Sequence, residues 1–156
     1  MEEKDRRMMR DYAWDYFSMH ADQRLKTFNF YVAISTLLIG TFVAFTKEVP
    51  FSRWVCILPF LLTVLSFVFW KFEIRNRQLI RNGEAALQYL DEQLELEKSG
   101  EAPHLLKIIA RDAYFSGQSP DSPFKKGWTY STCFNAVFMI FGFGGVVLGL
   151  VCLLLK

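Results

Sequence analysis

Three long stretches of this chain carry no formal charge: residues 27–46, 54–70 and 127–155. Between them the sequence is densely charged, so the contrast is local and a chain-wide average hides it. A helix needs about 20 mainly apolar residues to cross a hydrocarbon layer roughly 30 Å thick. The first and third runs reach that length, and the second lies between Arg53 and Lys71, whose long side chains can snorkel from an interface. A small soluble bundle would need a polar face on most of its helices, and none of these runs has a continuous one. We therefore read spans over 28–46, 53–72 and 132–154.

The fold class that follows is all-α: a helical membrane protein with a transmembrane hairpin, a helical cytoplasmic region and a third span. In residues, this is an N-terminal amphipathic helix (1–27), the hairpin (28–72), a cytoplasmic helical region (73–131) and the last span (132–155). Composition agrees, with 52% hydrophobic residues, 16 phenylalanines and only 22% charged residues. No secretory leader is evident, because the first apolar run begins far from Met1 and follows a charged, aromatic-rich helix.

Basic residues set the orientation. Fifteen Lys and Arg flank the spans on the side of the N-terminus and the long loop, against three (Lys47, Arg53 and Lys156) on the other. The positive-inside rule places the N-terminus and long loop in the cytoplasm and the C-terminus outside, in a bacterial inner membrane. Cys56, Cys133 and Cys152 lie within or at the edges of the apolar runs, two near one face and one near the other. They do not resemble a disulfide scaffold, and we expect them to be small packing or lipid-facing residues.

Beyond Phe72 the pattern stays helical. Leu87, Leu90 and Leu94 recur at three and four, so span two is expected to continue into the cytoplasm, with Gly83 its weak point and Gly100 and Pro103 a stop signal. A shorter helix from Pro103 and a loop over "SGQSPDSPFKKG" follow. At the N-terminus, Met9, Tyr12, Ala13, Tyr16 and Met19 or His20 form a stripe. It must lie on the membrane surface, on the helices after Phe72 or on a neighbouring chain.

Within span one, Ala33, Thr36, Gly40 and Ala44 share a face of small or weakly polar residues, with Ser35 and Thr41 beside it. Such a face serves close helix packing in lipid or lines a wide, weakly polar pore. Gly145 and Gly149 in span three form a GxxxG pair, which we read as a packing contact. No span carries a charge away from its ends, where Arg53 and Lys71 lie, which counts against an ion-coupled transporter or a charge-selective filter. A pore would need several copies around an axis.

Catalysis is weakly supported. His20 and Arg24 share a helical face that could serve RNA phosphodiester chemistry. The plainer reading is that Arg24 meets lipid phosphate while His20 bonds inside the protein. Asp91, Asp112 and Glu84 lack partners at metal-ligand spacing, and no phosphate loop, serine elbow or Cys–His pair is present. We expect no enzyme activity, no metal and no cofactor.

The run "WDYFSMHADQRLKTFNFYV", Trp14 to Val32, resembles the RipA-like family of small bacterial octameric membrane proteins. That family in turn resembles the pore-forming accessory membrane protein of RNA-targeting type VI-B CRISPR systems. The matching positions are Trp14, Tyr16, His20, Gln23, Arg24, Phe28 and Asn29; the hairpin, the long cytoplasmic helix and Trp128-Thr129-Tyr130 agree more loosely. The Arg–His pair of the ribonuclease fold discussed for the CRISPR-linked relative is absent.

The resemblance implies a homo-oligomeric ring, an octamer, with a cytoplasmic vestibule. It also implies a CRISPR-associated antiviral effector that permeabilises the membrane. Ala33, Thr36, Gly40 and Ala44 are then the candidate pore face. Trp14, Tyr16 and Phe28 are assigned to packing and assembly, and His20, Gln23, Arg24 and Asn29 to a polar network. Expected partners are the lipid bilayer, further copies of the chain and a defence-system protein, with RNA or nucleotide binding left open. The alternative is a non-conducting membrane scaffold or membrane-homeostasis protein.

Overall fold

A computed structural model describes residues 3–48, 55–93 and 129–154. All of its regular structure is helical: α1 (Glu3–Glu48), α2 (Ile57–Gln93) and α3 (Tyr130–Leu154). Each is long and apolar enough to cross a membrane. At 1.5 Å per residue, α1 is about 70 Å long and α2 about 55 Å, well beyond a bilayer's thickness. The polar N-terminal stretch and span one are one unbroken helix, as are span two and the segment after Phe72. The short helix expected from Pro103, the loop after it and the stop at Gly100 and Pro103 lie outside the described residues.

The helix ends have local causes. Thr129 caps α3: its hydroxyl accepts from the Thr132 backbone N–H at 3.3 Å, and the two threonine hydroxyls meet at 2.9 Å, satisfying a donor the first turn leaves open. Pro59 falls in the first turn of α2, where a missing N–H breaks no helical bond. The Val55 carbonyl just ahead accepts from the Leu58 N–H at 3.2 Å.

The chain divides into two compact units, residues 1–22 with 76–128 and residues 23–75 with 129–156. In the first, the early part of α1 runs antiparallel to the late part of α2. Ala13, Leu87 and Leu90 are buried together, with Phe17 against them. Of the three placements open to the N-terminal stripe, this unit realises packing on the helix after Phe72. The buried edge is Ala13 and Phe17, whereas Met9, Tyr12 and Met19 remain exposed.

Gly83 does not interrupt α2. It is buried where a Cβ would lie 3.0 Å from Phe17 Cβ and 3.2 Å from Phe17 Cα, so the absent side chain lets the two helices approach. Arg10 and Asp91 stand 4.0 Å apart near the surface, where such a pair adds little.

The second unit packs the remaining parts of α1 and α2 with α3. Its core is aromatic: Tyr31, Phe69, Phe134 and Phe138 are buried, with Phe28, Leu65, Trp70 and Phe141 around them. Phe28 stacks on Phe134 at 3.8 Å, and Tyr31 meets the edge of Phe138 at 4.7 Å. For helices in lipid, apolar burial gives no drive to associate, so in a membrane close packing, ring geometry and hydrogen bonds would carry the association. Gly145 and Gly149 supply close approach. A Cβ on Gly145 would lie 2.5 Å from Thr63 Oγ1 and 2.6 Å from the Pro59 carbonyl, and one on Gly149 would press on the Phe60 ring.

The cysteines correct the sequence expectation. Cys56, just ahead of α2, and Cys152, near the end of α3, form a disulfide across a sequence separation of 96, leaving Cys133 free. Chain spacing alone does not reveal it, because helix packing brings the two thiols together.

Candidate functional site

Arg24 joins all three helices of the second unit. Its Nε donates to both Glu73 carboxylate oxygens, at 3.0 and 2.9 Å. One terminal nitrogen, Nη2, forms an ion pair with Glu73 Oε1 and donates to Ser131 Oγ at 2.8 Å. The guanidinium also stands 5.1 Å from the centre of the Phe134 ring. The Arg24 and Glu73 side chains are only 15% and 4% exposed. A planar guanidinium fits this arrangement because its fixed fork serves a carboxylate in two places at once.

The sequence places Arg24 at lipid phosphate; here its guanidinium instead binds a carboxylate and a hydroxyl on neighbouring helices. Glu73 is the partner that the sequence reading missed. One signal was available: it is the only acidic residue between Glu48 and Glu84, set among Lys71, Arg75 and Arg77.

A second polar contact lies further along α1. Ser66 donates to the Leu62 carbonyl at 2.8 Å, so its oxygen is free to accept from the Tyr31 hydroxyl, also at 2.8 Å. Thr63 Oγ1 lies 3.1 Å from the Gly142 carbonyl and 3.2 Å from the Pro59 carbonyl. Ser35 Oγ and Asn135 Oδ1 are buried with no hydrogen-bond partner. Among the described residues, no group of His, Cys, Asp and Glu has the arrangement to hold a metal ion.

The candidate pore face lies elsewhere. Ala33, Thr36, Gly40 and Ala44 are exposed, together with Asn29 one turn before Ala33, whereas the buried Tyr31 and Ser35 occupy the opposite side of α1. Nothing lies within 4 Å of a Cβ built on Gly40. The Thr36 hydroxyl returns to the Val32 carbonyl at 2.9 Å, so the face is weakly polar.

The remaining candidates are scattered. Trp14 is exposed with its ring 5.8 Å from Phe17, and Tyr16 meets His20 edge-on at 4.5 Å. Gln23 is exposed, with its carbonyl accepting from the Thr27 hydroxyl at 2.8 Å. Phe28 is half-buried in the aromatic core. The structure thus joins Arg24 and Phe28 around Phe134, and puts Asn29 on the exposed small-residue face.

Comparison with known proteins places these features in context. The chain is 35% identical over 147 residues to CD-NTase-associated protein 19 of Escherichia coli, covering 94% of this chain and 91% of that protein. No family model matches the chain. No solved structure matches it either.

Proposed function

The chain belongs to the family of CD-NTase-associated protein 19, and from that premise we propose that it is a membrane effector of antiviral defence acting alongside a CD-NTase. The association that the relative's name records supports this setting; it carries no link to a CRISPR system. In this reading the protein lies in the bacterial inner membrane with its N-terminus and long loop cytoplasmic. Several copies, an octamer by the resemblance of residues 14–32, form a ring that conducts when triggered. It performs no covalent chemistry.

The observation that carries the ring is the exposed face of α1. Asn29, Ala33, Thr36, Gly40 and Ala44 point away from the chain's own helices, and Gly40 meets nothing within 4 Å. Small residues in lipid allow close approach of another helix, and around an axis the same residues leave an opening. Neither role requires a charge at depth. The Arg24–Glu73–Ser131 cluster has a different part: it fixes how α1 sits on α2 and α3, and hence which side of α1 remains open.

The test is membrane potential and dye entry in cells expressing the intact protein, alone and with a CD-NTase, before and after phage challenge. Depolarisation that requires the CD-NTase and disappears in Gly40→Leu, at equal membrane abundance, supports the gated ring. Phage protection without depolarisation would favour a non-conducting scaffold.

A further inference from the structure

We propose that the Cys56–Cys152 bond is a modification installed on the extracytoplasmic side of the membrane by a dithiol–disulfide oxidase, and that it permanently clasps α3 to the start of α2. The inference rests on the membrane reading above but requires neither the ring nor conductance.

The second unit has two chemically distinct ends. Arg24, Glu73 and Ser131 meet at one, and Cys56 and Cys152 at the other. At 1.5 Å per residue they are separated by about 25 Å along α2 and about 31 Å along α3. That spacing is close to the roughly 30 Å hydrocarbon thickness of a bilayer. A buried ion pair and a disulfide therefore sit at opposite faces, and neither lies at mid-depth.

Charge distinguishes the faces. Along the sequence, fifteen Lys and Arg fall in the segments that adjoin the ion-pair ends of the spans and three in those that adjoin the bridge ends, and the positive-inside rule then assigns the bridge to the outside. Cysteine chemistry leads to the same assignment independently. Disulfides persist in the bacterial periplasm, whereas cytosolic thiols are kept reduced. The bonded pair occupies the end that charge places outside. The free thiol, Cys133, is near the start of α3, two residues beyond Ser131, at the end that charge places inside. Basic-residue bias is read from the sequence and thiol state from the packing of the helices, and one topology satisfies both.

The chemistry balances with an external oxidant. A Cys thiolate attacks the oxidase disulfide to form a mixed disulfide, which the second thiolate then resolves. The two cysteines lose two protons and two electrons, and the oxidase disulfide becomes a dithiol. In the folded unit Cys56 is 3% and Cys152 1% exposed. Oxidation must therefore precede complete docking of α3, and burial afterwards shelters the bond from reductant. Contacts of Gly145 and Gly149 with α2 then lie on a clasped helix pair, whereas α1, which holds no cysteine, is tied to α2 only through the main chain of the hairpin.

Thiol counting tests this directly. The full chain is expressed in Escherichia coli with and without its periplasmic thiol oxidase, acid-trapped, and recovered in the membrane fraction. It is then denatured in SDS and labelled with polyethylene-glycol maleimide. We expect one adduct in oxidase-competent cells, rising to three after reduction, and three without reduction when the oxidase is missing. Cys133→Ser should shift those counts to none, two and two. Three adducts in oxidase-competent cells, or one adduct regardless of the oxidase, would overturn the proposal. Protein confined to the soluble fraction would instead defeat the membrane reading beneath it.

Discussion

Replacing Glu73 by Leu strands the Arg24 guanidinium. Its remaining partners would be the Ser131 hydroxyl at 2.8 Å and the Phe134 ring at 5.1 Å. The carboxylate now accepts from two Arg24 nitrogens, and Glu73 is 4% exposed, so water does not readily take its place. Removing one partner of such a buried pair costs about 3–5 kcal/mol, because the other charge stays desolvated and uncompensated. Removing both charges is different. Arg24→Met with Glu73→Leu fills similar volume with apolar groups, and such replacements are often neutral or stabilising.

A double-mutant cycle measured by SDS-titrated unfolding in mild detergent, followed by far-UV circular dichroism, separates the terms. We expect Glu73→Leu to lose about 3–5 kcal/mol and the double variant to recover most of it. Glu73→Leu within about 0.5 kcal/mol of the parent, the range of an ordinary surface substitution, would refute the inference that this pair fixes α1 on the other helices.

Three further outcomes follow from separate contacts. Gly145→Val places atoms where Pro59 and Thr63 already lie; overpacking of about 1–3 kcal/mol should appear in the same titration, whereas Gly144→Ala, which meets nothing within 4 Å, should lose no stability and gain up to about 1 kcal/mol from helix propensity. Leu87→Ala opens a cavity beside Ala13 and Leu90 and should cost about 2–5 kcal/mol, read as faster amide exchange over residues 10–17 and 83–91. Gly40→Leu should not destabilise a single copy, because no neighbour lies nearby and a mid-helix glycine is the weaker helix former by up to about 1 kcal/mol. It should nevertheless change the copy number found by chemical cross-linking in membranes; an unchanged pattern would remove this face from assembly.

Gly83 illustrates how the two levels of description differ. Local propensity makes a mid-helix glycine a weakness of about 1 kcal/mol relative to alanine. In the fold it is the place where α2 passes within van der Waals reach of the Phe17 backbone. Gly145 and Gly149 were more legible, because a spacing of four puts them on one helix face, where small residues permit close approach of a neighbouring helix. Arg24 was singled out by its position before an apolar run, but its partners were hidden at sequence separations of 49 and 107. Helical periodicity specifies which side of α1 carries Arg24 and leaves the facing residue open. Tyr12 and Ala13 show a related limit, since the stripe they share marks a face without saying which members a neighbour covers: Ala13 is buried and Tyr12 exposed.

The sequence by itself determined that this chain is helical, that three helices are apolar enough to cross a membrane, and that basic residues crowd the N-terminal stretch and the long loop. Those properties follow from local physics: the 3.6-residue repeat, the length of apolar runs and the position of charges relative to them. Tertiary structure decided the partners. It paired Arg24 with Glu73 and Ser131, joined Cys56 to Cys152, seated Ala13 and Phe17 against Leu87 and Leu90, and left Ala33, Thr36, Gly40 and Ala44 uncovered. Each depends on the rotation and axial offset of one helix against another. Those are set jointly by ring stacking, glycine contacts and one buried charge pair, and no single stretch of sequence contains them.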